Sequence, residues 1–168
     1  LGLTGSGTLG DKNVGQNKTV GLGTLTLTNA TGLATNYTLL NGSRTATIFA
    51  APLTLTTSNV VKTYDGGLSA LGTAIVTSGS LKSGDSLSGG SFSFTDKNAG
   101  NANKVVSTTG VTVGDGTNNN NYTVSFADNT ASTINAAALT VSSSAVTKTY
   151  DGGLSALGTA IVTSGSLK

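Results

Sequence analysis

Cysteine, histidine, methionine, tryptophan and glutamate are all missing from this chain of 168 residues. Without cysteine there is no disulfide, no thiolate metal site and no cysteine nucleophile. Without histidine or glutamate, acid–base chemistry would have to rest on Asp, Lys, Tyr or Ser, so no enzyme is expected. A single proline, Pro52, excludes a polyproline linker. Charge is scarce too: eight Lys and one Arg face seven Asp, for a net charge of +2. The cations are scattered and the aromatics are only four Tyr and four Phe. That leaves neither the basic stripe nor the stacking platform of a nucleic-acid binder. No apolar run approaches the roughly 18 residues of a spanning helix, so no membrane insertion is expected.

What remains is Leu, Val, Ile and Ala diluted by Thr, Ser, Asn and 24 Gly. At 36% hydrophobic and 10% charged, the chain is too apolar to stay disordered. Its strongest feature is a recurrence. Lys62 to Lys82 returns letter for letter as Lys148 to Lys168, and Tyr64 becomes Tyr150, a spacing of 150 − 64 = 86 residues. A period this long exceeds that of a solenoid turn and points to small modules in tandem. Asp11-Lys12-Asn13-Val14-Gly15 matches Asp96-Lys97-Asn98-Ala99-Gly100 at an offset of 96 − 11 = 85. Asn36-Tyr37-Thr38 matches Asn121-Tyr122-Thr123 at the same offset, whereas Ile48 matches Ile134 at 134 − 48 = 86. One residue has therefore been gained or lost between.

These matches divide the chain into residues 1–52, the back part of one unit; 53–138, a complete unit; and 139–168, the front of the next. With no initiator Met and no signal-peptide pattern at Leu1, the chain is expected to be a window onto a longer array.

Period-two alternation marks strands at Leu25–Thr28, Leu53–Thr56, Phe92–Phe94, Val111–Val113 and Tyr122–Phe126. Turn signals separate them: Asp65-Gly66-Gly67, Ser83-Gly84-Asp85, Gly89-Gly90 and Gly114-Asp115-Gly116. The best helical candidate, Leu68 to Val76, is short and contains Gly72. The expected fold is all-β: a tandem array of small antiparallel β-sandwich-like (or β-grasp-like) modules. With no flexible linker between Thr133 and Ser143, the modules should form a semi-rigid rod.

The order Lys-Thr-Tyr-Asp-Gly (62–66 and 148–152), Ser-Gly-Asp (83–85), Phe-x-Asp-Lys-Asn-x-Gly (94–100), Asn-Tyr-Thr (121–123) and Thr-Ile-Asn-Ala-Ala-Ala-Leu-Thr (133–140) resembles the YDG/MBG repeats. Such repeats occur in very large bacterial surface proteins, including filamentous-haemagglutinin-like adhesins. Gly66-Gly67 departs from the Gly-Thr of many such repeats. The resemblance implies an extracellular, mainly β stalk at the bacterial surface, and a structural role for Tyr64, Asp65, Gly66 and for Tyr150, Asp151, Gly152. It implies no catalytic residues.

Other candidate sites rest on residue type alone. Asp115, Asn118 and Asn120 offer oxygen ligands for weak calcium binding, but one carboxylate is few for such a site. No other cofactor is expected. Asp11 and Asp96 with their Lys neighbours are candidates for a Lys–Asn crosslink, and Asn17, Asn29, Asn36, Asn41 and Asn121 stand in glycosylation sequons. The expected function is a spacer in a secreted adhesin or filament supporting adhesion or biofilm, with adjacent repeats as partners. Two alternatives are a multivalent glycan- or matrix-binding repeat, and self-association in which 139–168 completes 1–52 of a neighbouring chain.

Overall fold

Apolar residues alternating with threonine and serine, interrupted every few positions by glycine, favour short strands over helices. The computed structural model describes residues 1–117 and 120–168. In chain order its strands are β1 (Gly2–Thr4), β2 (Thr8–Leu9), β3 (Gly15–Gly21), β4 (Thr26–Thr28), β5 (Thr45–Ile48), β6 (Ala51–Thr57), β7 (Val61–Thr63), β8 (Ala74–Ser78), β9 (Ser86–Phe94), β10 (Gly100–Gly114), β11 (Tyr122–Phe126), β12 (Asn129–Asn135), β13 (Thr140–Ser143) and β14 (Ala160–Ser164). A single 3-10 turn, Ala34–Asn36, is the one helical element among the described residues. The fold is all-β. Leu68 to Val76 is not helical: it runs irregularly, touches β9 through a Ser69–Ser93 bridge, and then enters β8.

The strands form several small sheets, ordered β7-β12-β10-β9, β11-β6-β8, β2-β3-β5, β1-β4 and β13-β14. The pairs β1–β4, β10–β12, β13–β14, β2–β3 and β3–β5 are antiparallel, as the short turns predict, but β12 and β7 run parallel with Thr133 opposite Val61 and Asn135 opposite Thr63. Parallel neighbours need a long crossover, and these two strands are far enough apart in the chain to have one.

The chain gathers into two compact units. One comprises Leu1–Thr54, Val76–Ser88 and Thr112–Ser125; the other comprises Leu55–Ile75, Gly89–Val111 and Phe126–Lys168. In the second unit Val60, Ala70, Phe94, Val106 and Ile134 form a buried cluster, with Tyr64 and Phe92 packed against it. In the first, Leu53, Val113 and Tyr122 are buried. Among the described residues, everything buried lies between Leu53 and Ile134. No residue of 1–50 or 135–168 is fully shielded from water.

The flanks nevertheless keep the same pairing. Gly15 faces Ile48 across β3 and β5, and Gly100 faces Ile134 across β10 and β12. Lys18 faces Ala46 as Lys104 faces Ser132. Between these rungs each ladder bulges, with a non-glycine residue at positive φ: Asn17 at 54° and Ala102 at 51°. Two residues separate Gly15 from Lys18 and three separate Gly100 from Lys104, so the bulge itself absorbs a one-residue change of offset.

Candidate functional site

The Tyr-Asp-Gly-Gly block builds a closed hydrogen-bonding clip. Lys62, on β7, sends its ammonium back over the turn and donates to Asp65 Oδ1 at 2.7 Å, to the Gly67 carbonyl at 2.8 Å and to the Ser69 carbonyl at 3.2 Å. Asp65 Oδ1 also accepts from the Gly67 backbone N–H at 2.9 Å, the local Asx bond that makes Asp a turn residue. Gly66 sits at φ +81°, a conformation most side chains avoid. The Lys62 hydrogen bond, helped by the Gly67 amide, holds the Asp65 carboxyl below its ordinary pKa. Lys62 also lies 5.4 Å above the centroid of the buried Phe94 ring, a cation–π contact. Tyr64 packs on the core beside it.

The second block builds the same clip. Lys148 donates to Asp151 Oδ1, the Gly153 carbonyl and the Ser155 carbonyl at 2.8, 2.8 and 3.0 Å, and Gly153 N–H donates to Asp151 at 2.9 Å. Asp151 is likewise held below its ordinary pKa, chiefly by Lys148. Here, however, the tyrosine is out in water: Tyr150 is 93% exposed. Tyr64, Asp65 and Gly66 thus meet at one place with a core behind them, whereas Tyr150, Asp151 and Gly152 form the turn alone.

Asp-Lys-Asn-x-Gly builds a related clip. Asp96 takes the ammonium of the buried Lys104 on one oxygen, and the Asn98 backbone N–H (3.0 Å) and side-chain amide (2.8 Å) on the other. In the flank, Asp11 accepts from Lys18 at 2.5 Å and from the Asn13 backbone N–H at 2.8 Å. Both carboxyls are held low, first by the lysine and then by the asparagine amide. Asp11 and Asp96 are therefore ion-paired carboxylates closing turns, with their lysines contributed by β3 and β10.

Sequence reasoning missed the tyrosine anchor. Tyr122 is 6% exposed, its hydroxyl donates to Asp85 Oδ2 at 2.5 Å, and it accepts from the Lys82 backbone N–H at 2.8 Å. Burial, reinforced by Asp85, pushes its pKa up. Ser-Gly-Asp and Asn-Tyr-Thr are thus one element, joined across 37 residues. Sequence separation hides the pairing, although both motifs were visible.

The calcium candidate resolves differently. Asp115 is buried and accepts the Thr117 N–H at 2.7 Å on one oxygen and the Asn121 N–H at 2.9 Å on the other. It thereby closes its own loop. Asn120 donates to the Thr117 carbonyl at 2.7 Å, and Asn118 lies outside the described residues. Among the described residues no three His, Cys, Asp or Glu converge. Of the sequons, Asn121 has both ends of its amide engaged: Oδ1 accepts from Val14 N–H at 2.8 Å and Nδ2 donates to Asn13 Oδ1 at 3.2 Å.

Two grooves accompany these elements. One of about 430 Å³ is lined by Tyr64, Asn98, Ala137, Leu139, Leu167 and Lys168. Another of about 210 Å³ lies beside Lys12, Ile48, Phe49, Asp85 and Tyr122. Both linings are mainly apolar.

No curated protein and no solved structure matches the chain. A family model does match: between residues 50 and 132, around the Tyr64 clip, the Asp96–Lys104 pair and the Tyr122 anchor, this chain contains a YDG domain.

Proposed function

We propose that this chain is a spacer: a stretch of tandem YDG-type modules in a secreted bacterial surface adhesin or extracellular filament. It supports cell adhesion or biofilm by supplying length and stiffness. The observation that carries the reading is how the YDG domain meets the segment before it. Asn121 spends its whole amide on Asn13 and Val14, so consecutive segments are tied by hydrogen bonds where a flexible linker would leave them loose. The motif side chains support the same reading, since Lys62, Asp65, Asp96, Lys104 and Tyr122 all direct their polar atoms into internal clips. Repetition of one modest fold, with stability shared across junctions, yields a semi-rigid array.

The test is a binding screen of the chain against glycans and matrix proteins, with and without calcium. Silence at concentrations near 100 μM, an affinity weaker than about −5.5 kcal/mol, fits a spacer. Saturable binding would replace this reading with that of a multivalent adhesive repeat.

A further inference from the structure

We propose that Asn41 is a self-modifying site: its side-chain amide is lost by cyclisation onto Gly42, and the residue becomes a mixture of isoaspartate and aspartate. The change needs no partner, and it goes beyond the spacer reading without depending on it. Asn41-Gly42 is the one Asn-Gly pair in the sequence. Glycine matters because, with no Cβ, it leaves its own backbone nitrogen open to approach and the chain free to bend.

The structure leaves this pair unprotected. Both residues are exposed, and residues 37–44 belong to no strand or helix. Among the described residues, no hydrogen bond engages the Asn41 amide or the Gly42 N–H. The Gly42 carbonyl accepts from Arg44 N–H at 3.0 Å, and a Cβ added at Gly42 would meet nothing within 4 Å. Asn29, Asn98, Asn121 and Asn129, by contrast, spend their amides on hydrogen bonds. Gly42 stands where Asp128 stands in the complete unit, at 128 − 42 = 86, and Asp128 is exposed as well. Exposure therefore belongs to this connection between strands, in part-unit and complete unit alike.

The Gly42 nitrogen attacks the Asn41 side-chain carbonyl carbon and gives up its proton. The bond to the amide nitrogen breaks, ammonia leaves, and a five-membered cyclic imide remains. Water then opens the imide at either carbonyl. One opening restores an α-linked aspartate; the other routes the main chain through the side-chain carbon and frees the α-carboxylate. The balance is one water in and one ammonia out, and the net charge falls from +2 to 2 − 1 = +1. The isoaspartate adds a main-chain carbon just before Arg44, whose carbonyl accepts the Val20 N–H at 2.9 Å where β5 joins β3.

Asp-Gly pairs close the same ring by expelling water, and the structure guards them. A carboxyl group must be protonated to lose water in this way. Lys62 and the Gly67 N–H hold Asp65 Oδ1, as Lys148 and the Gly153 N–H hold Asp151 Oδ1, and both groups stay ionised. Asp115 is buried, with its oxygens on the Thr117 and Asn121 N–H groups. Asn41-Gly42 is the unguarded pair.

Peptide mapping by mass spectrometry of the 168-residue chain, aged in neutral buffer with and without urea, tests this. The expected result is a gain of about 1 Da on the peptide holding Asn41, with isoaspartate and aspartate both present. Because no local opening is needed, the native rate should lie within about threefold of the rate in urea. Asp65 should gain isoaspartate in urea alone. Gly42→Ala should slow the loss of Asn41 by about tenfold, since a Cβ hinders the attacking nitrogen. An Asn41 that stays intact while other asparagines convert overturns the proposal. So does a native rate more than about tenfold below that in urea. Aspartate without isoaspartate, or Gly42→Ala reacting as fast as the parent, would overturn it too, by excluding the cyclic route.

Discussion

Residues 62–82 and 148–168 are the same 21 letters in two settings. Their local geometry is the same. Each lysine makes its three hydrogen bonds, and the central glycine takes φ +81° in one and +71° in the other. A glycine follows β8 and β14 alike, Gly79 or Gly165, whose added Cβ would lie 2.4 Å from the carbonyl oxygen of Pro52 or Ala138. Their burial is not the same. Ala70 is buried and Tyr64 packs on the core, while Ala156 is exposed and Tyr150 stands in water. The clip is a short-range consequence of sequence. The core is a long-range event that needs β9 to β12.

The sharpest way to break this comparison is one substitution made twice. Leu53 is 1% exposed and its counterpart Leu139 is 41% exposed. Leu53→Ala should cost about 2–5 kcal/mol, as for other buried leucines. Leu139→Ala should cost under about 1 kcal/mol. Urea unfolding measures both, and equal costs would mean that the second segment has a core of its own.

Tyr122 and Tyr37 give the next largest contrast. Tyr122→Phe strands the Asp85 carboxylate and the Lys82 N–H, and should cost about 1–3 kcal/mol. Tyr37→Phe should be silent within about 0.5 kcal/mol, because its side chain is mostly in water.

The clips themselves should respond alike. Asp65 and Asp151 both have folded pKa values below the usual 3.8. Their contribution is therefore complete above pH 3.8 and is lost as pH falls through the lower folded value. Carboxyl-carbon NMR should find both resonances titrating below 3.8. An Asp151 that titrates normally beside a depressed Asp65 would make the clip a product of the core rather than of sequence.

The smallest effect should come from the bulges. Ala102 holds a positive φ that Asn17 tolerates better at the matching site. Ala102→Gly should raise the urea midpoint by up to about 1 kcal/mol of stability, and Asn17→Gly by less.

Much of this was legible beforehand. The turn at Asp65-Gly66-Gly67 announced itself because Asp and Gly act within two or three residues. The strand alternation around Leu53 and Tyr122 reflects a period of two residues. The parallel β7–β12 pairing, the Tyr122–Asp85 hydrogen bond and the use of Asp115 to close its own loop were not legible, because each depends on which distant strand arrives alongside. Local chemistry fixes backbone conformation wherever a side chain can reach its own turn, and that is what the sequence determined for both copies of the block. Burial has no such local cause. Only the tertiary structure decided that Leu53 would lose its water and Leu139 would keep it, because removing apolar surface from water requires a second surface to cover it.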